Sequence, residues 1–338
     1  MSKNSMMRSF FVVLFASLLS QQSVGQSVQC DPTKVMTAEA CAKCHANEFS
    51  VWKKTPHSTT FSELSRRPRS KEICKKLGLR SVKRSDVCIK CHYTLKNNGD
   101  KNKPVSGVSC ESCHGASRDW LTMHNDYGGP TATKESETPS SKKKRLDDCL
   151  ALGMNNTRDL YSIAMNCFNC HTVPNEELVN VGGHVAGSEG FELVSWSQGM
   201  MRHNFLRGDN VKNVESSPER LRVMFVVGLI ADLEYSTRAT AAATDKSKYG
   251  LTVAQRAAEK AIKLFEVQKE IKHADVEQIL KSFSLAQLKI NNSEQLNSIA
   301  DKIQEAGRKF AKEADGASLA AIDQWLPKSE NYKWKPSR

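Results

Sequence analysis

Four times in this 338-residue chain a Cys-x-x-Cys-His order occurs: at Cys41, Cys44 and His45; at Cys88, Cys91 and His92; at Cys110, Cys113 and His114; and at Cys167, Cys170 and His171. Two thiols three residues apart, followed at once by a histidine, are the pattern of covalent haem attachment. The sulfurs become thioethers to the porphyrin, and the imidazole reaches the iron from one side. Eight of the 11 cysteines belong to these motifs. The expectation is four haem c groups, with His45, His92, His114 and His171 as proximal ligands.

The remaining histidines sharpen this. Of nine in all, four more (His57, His124, His184 and His203) lie in the same half of the chain, one for each iron. They are the candidate distal ligands. If one fails, its iron is His/Met through Met123, Met200 or Met201, or five-coordinate, and that difference separates an electron carrier from a catalyst. His273 stands alone among charged residues of the C-terminal half and reads as a solvent-facing side chain.

Elements must place these residues. Trp52 follows His45 by seven positions, so on a helix both share a face. Pro56 ends that helix and frees His57 to project towards a neighbouring haem. After His92 the stretch Lys96 to Lys103 reads as a loop, and the short spacing from His92 to Cys110 holds the second and third sites close. Gly115 lets the chain turn away, and Trp120 and His124 share a helical face by their spacing. Asp126 to Lys144 reads as a surface loop, with helix resuming near Leu146.

Taken together, the Cys41-Ala-Lys-Cys44-His45 motif with Trp52 and His57, the Gly107 to Gly115 block, and His124 resemble the tetrahaem cytochrome c-554 family of secreted electron carriers. The likeness covers roughly residues 38–175. It implies that His57 ligates the third iron opposite His114, and that His124 ligates the first opposite His45. It also implies that the second haem can lack a distal ligand. The family's distal histidine for the fourth haem precedes the motif, where Asp159 to Asn166 has none. That leaves the fourth haem to His184 or His203, one of which could instead cap the second.

The C-terminal half has a different pattern. Ser217-Pro218 is a helix start, Thr252 to Gln255 is a capping-box sequence, and Val253, Ala257, Ala261 and Leu264 continue an apolar stripe. Ser293 opens another helix, with Leu296, Ile299, Ile303 and Phe310 on one face. A bundle of three to five helices follows. The fold class is mainly α: a multihaem cytochrome c domain with little regular secondary structure around four haems, then a helical bundle. The divisions are a signal peptide at 1–25, the tetrahaem domain at 26–212 and the bundle at 213–338.

Lys3 and Arg8, the apolar run Phe10 to Leu19, and Ser23-Val24-Gly25 form an export signal, and that run is too short to span a bilayer. The expected location is periplasmic or extracellular, where c-type haems are attached. There Cys30, Cys74 and Cys149 allow a disulfide between two of them. A hydrophobic content of 39% is low, in line with haem filling part of the core. The formal charge of +12 is offset by about eight haem propionates. The basic stretches Arg66 to Arg84 and Lys142 to Arg145 are either a docking surface for an acidic redox partner or solvated faces and propionate counter-ions. Nothing resembles a nucleic-acid module.

The function expected is electron transfer between redox partner proteins through closely packed, mostly bis-histidine haems. One alternative is a redox enzyme acting on a small nitrogen or sulfur compound at an open iron, best placed at His92. Another is a subunit of a larger multihaem assembly that docks through its helical half.

Overall fold

Helix accounts for 58% of the described residues and strand for 3%, so the chain is mainly α as expected. The structure is a computed structural model that describes residues 30–333. The signal peptide expected at 1–25 lies outside the described residues.

Short helices fill the first half: α1 (Ala38–Ala42), α2 (Ala46–Lys53), α3 (Pro56–Glu63), α4 (Pro68–Lys76) and α5 (Asp86–His92). Proline at the first turn starts α3 and α4, where its missing N–H has no partner to lose. The segment read as a loop from Lys96 is instead a hairpin, β1 (Thr94–Asn97) with β2 (Asn102–Ser106), antiparallel. Asn98-Gly99, with Gly99 at φ +102°, turns the chain. Its polar residues hid the strands, because the hairpin is exposed along much of β2. Then come α6 (Cys110–His114), α7 (Pro139–Ala151), α8 (Leu160–His171), α9 (Glu176–Asn180) and α10 (Leu193–Gln198). Helix α7 begins well before Leu146, because Thr138 caps it by accepting from the Ser141 N–H and Pro139 takes the first position. The lysine run 142–145 is therefore helical.

The second half holds α11 (Pro218–Ala241), α12 (Lys248–Ile271), α13 (Ala274–Phe283) and α14 (Ser293–Glu313). Ser217 caps α11 as its sequence foretold. The start of α12 was misread: it opens at Lys248 after Ser247, so Thr252 to Gln255 lies inside the helix. His273 is also not a plain surface residue. Lys272 takes a left-handed conformation that ends α12, and His273 Nδ1 then accepts the Asp275 N–H to begin α13, its ring edge-on to Phe310.

Helix α11 is buried on all sides, as an apolar helix at the centre of a bundle must be. It packs on α14 and α12, and also on α8 and α10. Fully buried Ile230 and Leu233 meet Tyr161, Phe168 and Leu193 in one core. Each such side chain contributes about 2 kcal/mol on leaving water. That core crosses residue 212: the helix carrying the fourth motif is one wall of the bundle. The charges within it are paired. Asp232 accepts from Arg256 at 2.5 and 3.0 Å, and Glu234 accepts from Arg238 at 2.8 Å and from Tyr161 Oη at 2.9 Å.

Candidate metal centres

Three of the motifs sit at helix C-termini. Helices α5 and α8 end on His92 and His171, and α6 consists of the third motif alone. One helical turn puts cysteines three apart on the same face, with the histidine beside them. The first motif straddles a joint, with Cys41 in α1 and His45 at the cap of α2. Gly115 follows α6 at φ +87°, and a Cβ there would lie 2.1 Å from the Gly153 carbonyl oxygen, so only glycine fits.

Each motif histidine faces a histidine from outside the motifs. Ring centres are 6.3 Å apart for His45 and His124, 6.4 Å for His92 and His184, 6.3 Å for His114 and His203, and 6.3 Å for His57 and His171. A metal–imidazole bond is about 2 Å, so two in line, with each ring centre about 1 Å behind its nitrogen, give about 6 Å. Among the described residues, no three or more His, Cys, Asp or Glu side chains converge as they would on a bare ion. Facing pairs suit a metal whose equatorial ligands come with it.

Second contacts hold these rings. Nδ1 of His124 is 2.6 Å from the Leu121 carbonyl oxygen, that of His184 is 2.9 Å from Val185 O, and that of His203 is 2.5 Å from Met201 O. His114 Nδ1 lies 3.3 Å from Asn155 O, and His171 Nδ1 lies 2.7 Å from Ser188 Oγ. A carbonyl acceptor keeps the proton on Nδ1 and leaves the Nε2 lone pair for a metal. His57 Nδ1 is buried without a partner, so hydrogen bonding does not explain why this imidazole is kept inside. Phe191 stacks on His171 at 4.2 Å, and Trp120 stands edge-on to His124 at 5.5 Å.

Two of these pairs differ from what the family resemblance implied. His57 faces His171 rather than His114, and His203 takes the place opposite His114. His184 faces His92, where the resemblance implied that a distal ligand can be lacking and left His184 or His203 as a possible cap. His45 and His124 are paired as implied. Neither His184 nor His203 faces His171; His57 does.

Burial governs the electrostatics. It pushes His92 and His114 down to about 4 and His171 down to about 3. Burial also pushes Cys88 and Cys113 up to about 11 and Cys167 up to about 12. Those three thiols are therefore protonated at neutral pH. The Cys41 and Cys110 thiols hydrogen-bond each other, as do those of Cys91 and Cys170. The three cysteines outside the motifs stand free: Cys149 is fully buried, Cys74 hydrogen-bonds Cys88, and Cys30 lies at the edge of the third site.

Sequence reasoning passed over the residues that brace the third motif. Glu111, between Cys110 and Cys113, is only 1% exposed. Its carboxylate accepts from the N–H groups of Met36 (2.9 Å), Thr37 (2.8 Å) and Ser117 (2.8 Å), and from Ser117 Oγ (2.7 Å). It thereby ties the segment leading to Cys41 onto the third motif. Asn155 and Asn166 both donate to Cys113 O, at 3.0 and 3.1 Å, linking that motif to α8. Trp52 Nε1 donates to Val108 O at 2.8 Å. An acidic residue between the two motif cysteines, where the first two motifs carry Lys43 and Lys90, was the available signal.

Residues 40–115 match the family model described as "Cytochrome c554 and c-prime". The chain is also similar to cytochrome c-554 of Nitrosomonas europaea, with 29% identity over 139 residues, which is 37% of this chain and 57% of that protein. It thus spans little more than half the length of that curated relative. No solved structure matches it.

Proposed function

We propose that this chain, similar over residues 40–115 to the cytochrome c554 family, is an exported electron carrier with four covalently held haem c groups, each between two histidines. The observation that carries this reading is the pairing itself: every motif histidine faces a histidine from outside the motifs at 6.3 or 6.4 Å. Bound there, haem supplies a one-electron couple whose potential follows its axial ligands and its burial.

The chain's own residues do the rest. Cys41, Cys44, Cys88, Cys91, Cys110, Cys113, Cys167 and Cys170 provide the thioether sulfurs. The facing imidazoles would hold each iron from both sides and leave no position for substrate. Tyr93 Oη and Trp120 Nε1 are buried without partners near the second and first sites, and a bound group bearing carboxylates would accept from them.

Contacts between the motifs give the sites an order. Cys41 touches Cys110, Cys113 O is held by Asn166 beside Cys167, and Cys170 touches Cys91. The sites therefore run first, third, fourth, second, with the His45–His124 and His92–His184 pairs at the two ends. A carrier needs such ends to meet a donor and an acceptor.

Export follows from the basic and apolar leader at 1–25 and from the compartment in which c-type haem is attached. No helix of the described residues is long and apolar enough to cross a membrane. The His184 ring opposite His92 counts against an enzyme with an open iron at that site. An electron paramagnetic resonance spectrum of the oxidised holoprotein tests the proposal, with carbon monoxide added to the reduced form. Four low-spin irons and no carbon monoxide binding are expected. A high-spin ferric signal from the native protein would overturn the bis-histidine reading.

A further inference from the structure

Two basic stretches run along this chain, and the structure treats them differently. On α7, Lys143 and Lys144 pair with Asp147 and Asp148 at 2.6 Å, and Arg145 pairs with Glu137 at 2.7 Å. Three of the four cations of that helix are thus paired. Between Glu63 and Lys90 there are ten Lys and Arg against three Asp and Glu. Among the described residues, only Arg67 and Lys76 of those ten form ion pairs. Most of the surplus charge is exposed.

This basic stretch lies over one end of the row of sites. The inner side of α4 carries Ile73 and Cys74, both buried, and the Cys74 thiol hydrogen-bonds Cys88 of the second motif. Arg69 Nη2 donates to Gly183 O at 2.7 Å, beside His184. The Arg67 charge acts on His92. Lys71, Lys75 and Arg80 line a cleft of about 350 Å³ whose wall also includes Cys74. Only the thickness of one helix, about 10 Å, therefore separates the basic surface from the second site. Val181 (55% exposed) and Val185 (49% exposed) flank His184. A small apolar patch with a cationic rim is the anatomy of a short-lived redox encounter: little area, charge for steering, and quick release.

We propose that this face, formed by α4 and the segment around His184, is the docking surface for an acidic redox protein, and that electrons enter or leave through the His92–His184 end. The proposal rests on the carrier reading above. Its chemistry is a one-electron exchange: the partner's reduced cofactor loses one electron as one ferric site becomes ferrous. Positive potential at the face raises the encounter rate with an acidic partner, and salt weakens it.

The test uses the holoprotein, a strongly acidic reduced flavodoxin as reductant, and a neutral quinol as control, followed by stopped-flow absorbance at low and high salt. One variant carries Lys71→Glu, Lys75→Glu and Arg80→Glu. A second carries Lys142→Glu, Lys143→Glu and Lys144→Glu, with the same change in net charge. A third has glutamine at the three α4 positions. At low salt the first variant should react with flavodoxin about tenfold more slowly or worse, and its salt dependence should flatten. The glutamine variant should fall between it and the native protein. The α7 variant should stay near native, and the quinol rate should be unchanged in all three. Equal slowing by both glutamate variants, or none by either, would sink the docking surface. So would a shift in haem potential without a change in flavodoxin rate, the mark of propionate counter-ions. Failure of the native protein to accept electrons from both donors would instead count against the carrier reading itself.

Discussion

His57 and His171, far apart in the chain, face each other with ring centres 6.3 Å apart. His57 arrives on the first turn of α3, just after Pro56, and His171 at the last residue of α8. Burial holds both imidazoles below their usual pKa, so both are neutral and able to ligate at neutral pH. The histidine facing the fourth motif thus comes from α3, which brings the N-terminal helices against the wall of the bundle.

Replacing His57 with alanine should turn one low-spin iron high-spin, and that iron should be the one at His171. In a background lacking the fourth haem, made with Cys167→Ser and Cys170→Ser, His57→Ala should add no further high-spin signal. His203→Ala in the same background should add one. A new high-spin iron on adding His57→Ala there would return His57 to the third site.

Gly107 sets the position of His57. A Cβ at Gly107 would lie 2.0 Å from the His57 carbonyl oxygen and 2.8 Å from Thr60 Oγ1. Both atoms belong to the first turns of α3, so Gly107→Ala should push that turn away and weaken ligation at the fourth site. Partial loss of one low-spin resonance, with the other three intact, is the outcome expected in electron paramagnetic resonance. Four native resonances would show that α3 yields without moving the ring.

Glu111 anchors the segment before Cys41 to the third motif. Glu111→Ala leaves the N–H groups of Met36, Thr37 and Ser117 without their acceptor and should cost about 3 kcal/mol. Glu111→Gln keeps one carbonyl acceptor and should cost less. Guanidinium unfolding followed by far-ultraviolet circular dichroism measures both. Native stability in the alanine variant would mean that water replaces the carboxylate.

Acid should destabilise the fold from its histidines. The folded values of about 4 for His92 and His114 and about 3 for His171 lie below the unfolded value of about 6.5. As pH falls below about 6.5 the unfolded chain takes up protons that the folded chain refuses. Stability is therefore fully present above that pH and declines towards 4. Ligation, which needs neutral imidazole, acts in the same direction. The guanidinium midpoint should be lower at pH 5 than at pH 7.5; an equal or higher midpoint at pH 5 would refute the assignment.

Much was legible in the sequence because it is written locally. The Cys-x-x-Cys-His windows, Ser217-Pro218 ahead of α11 and the stripe along α14 each depend on residues within a few turns. The mainly α class follows from the same signals. Other local signals misled where a longer-range partner or a better cap prevailed. Lys96 to Lys103 is polar yet pairs as a hairpin, Thr138 starts α7 ahead of the expected point, and Ser247 displaces Thr252 as the start of α12.

The tertiary structure decided which histidine faces which. Each motif is five residues long and specifies its own attachment chemistry, but the facing imidazole comes from whichever element packs across the site. His57 meets His171 because Gly107 lets β2 close against α3, while α8 is held by the bundle on its other side. Sequence alone determined that four Cys-x-x-Cys-His motifs with enough histidines were present; only the packing of distant elements, each held in place by its own buried contacts, decided which rings face each other.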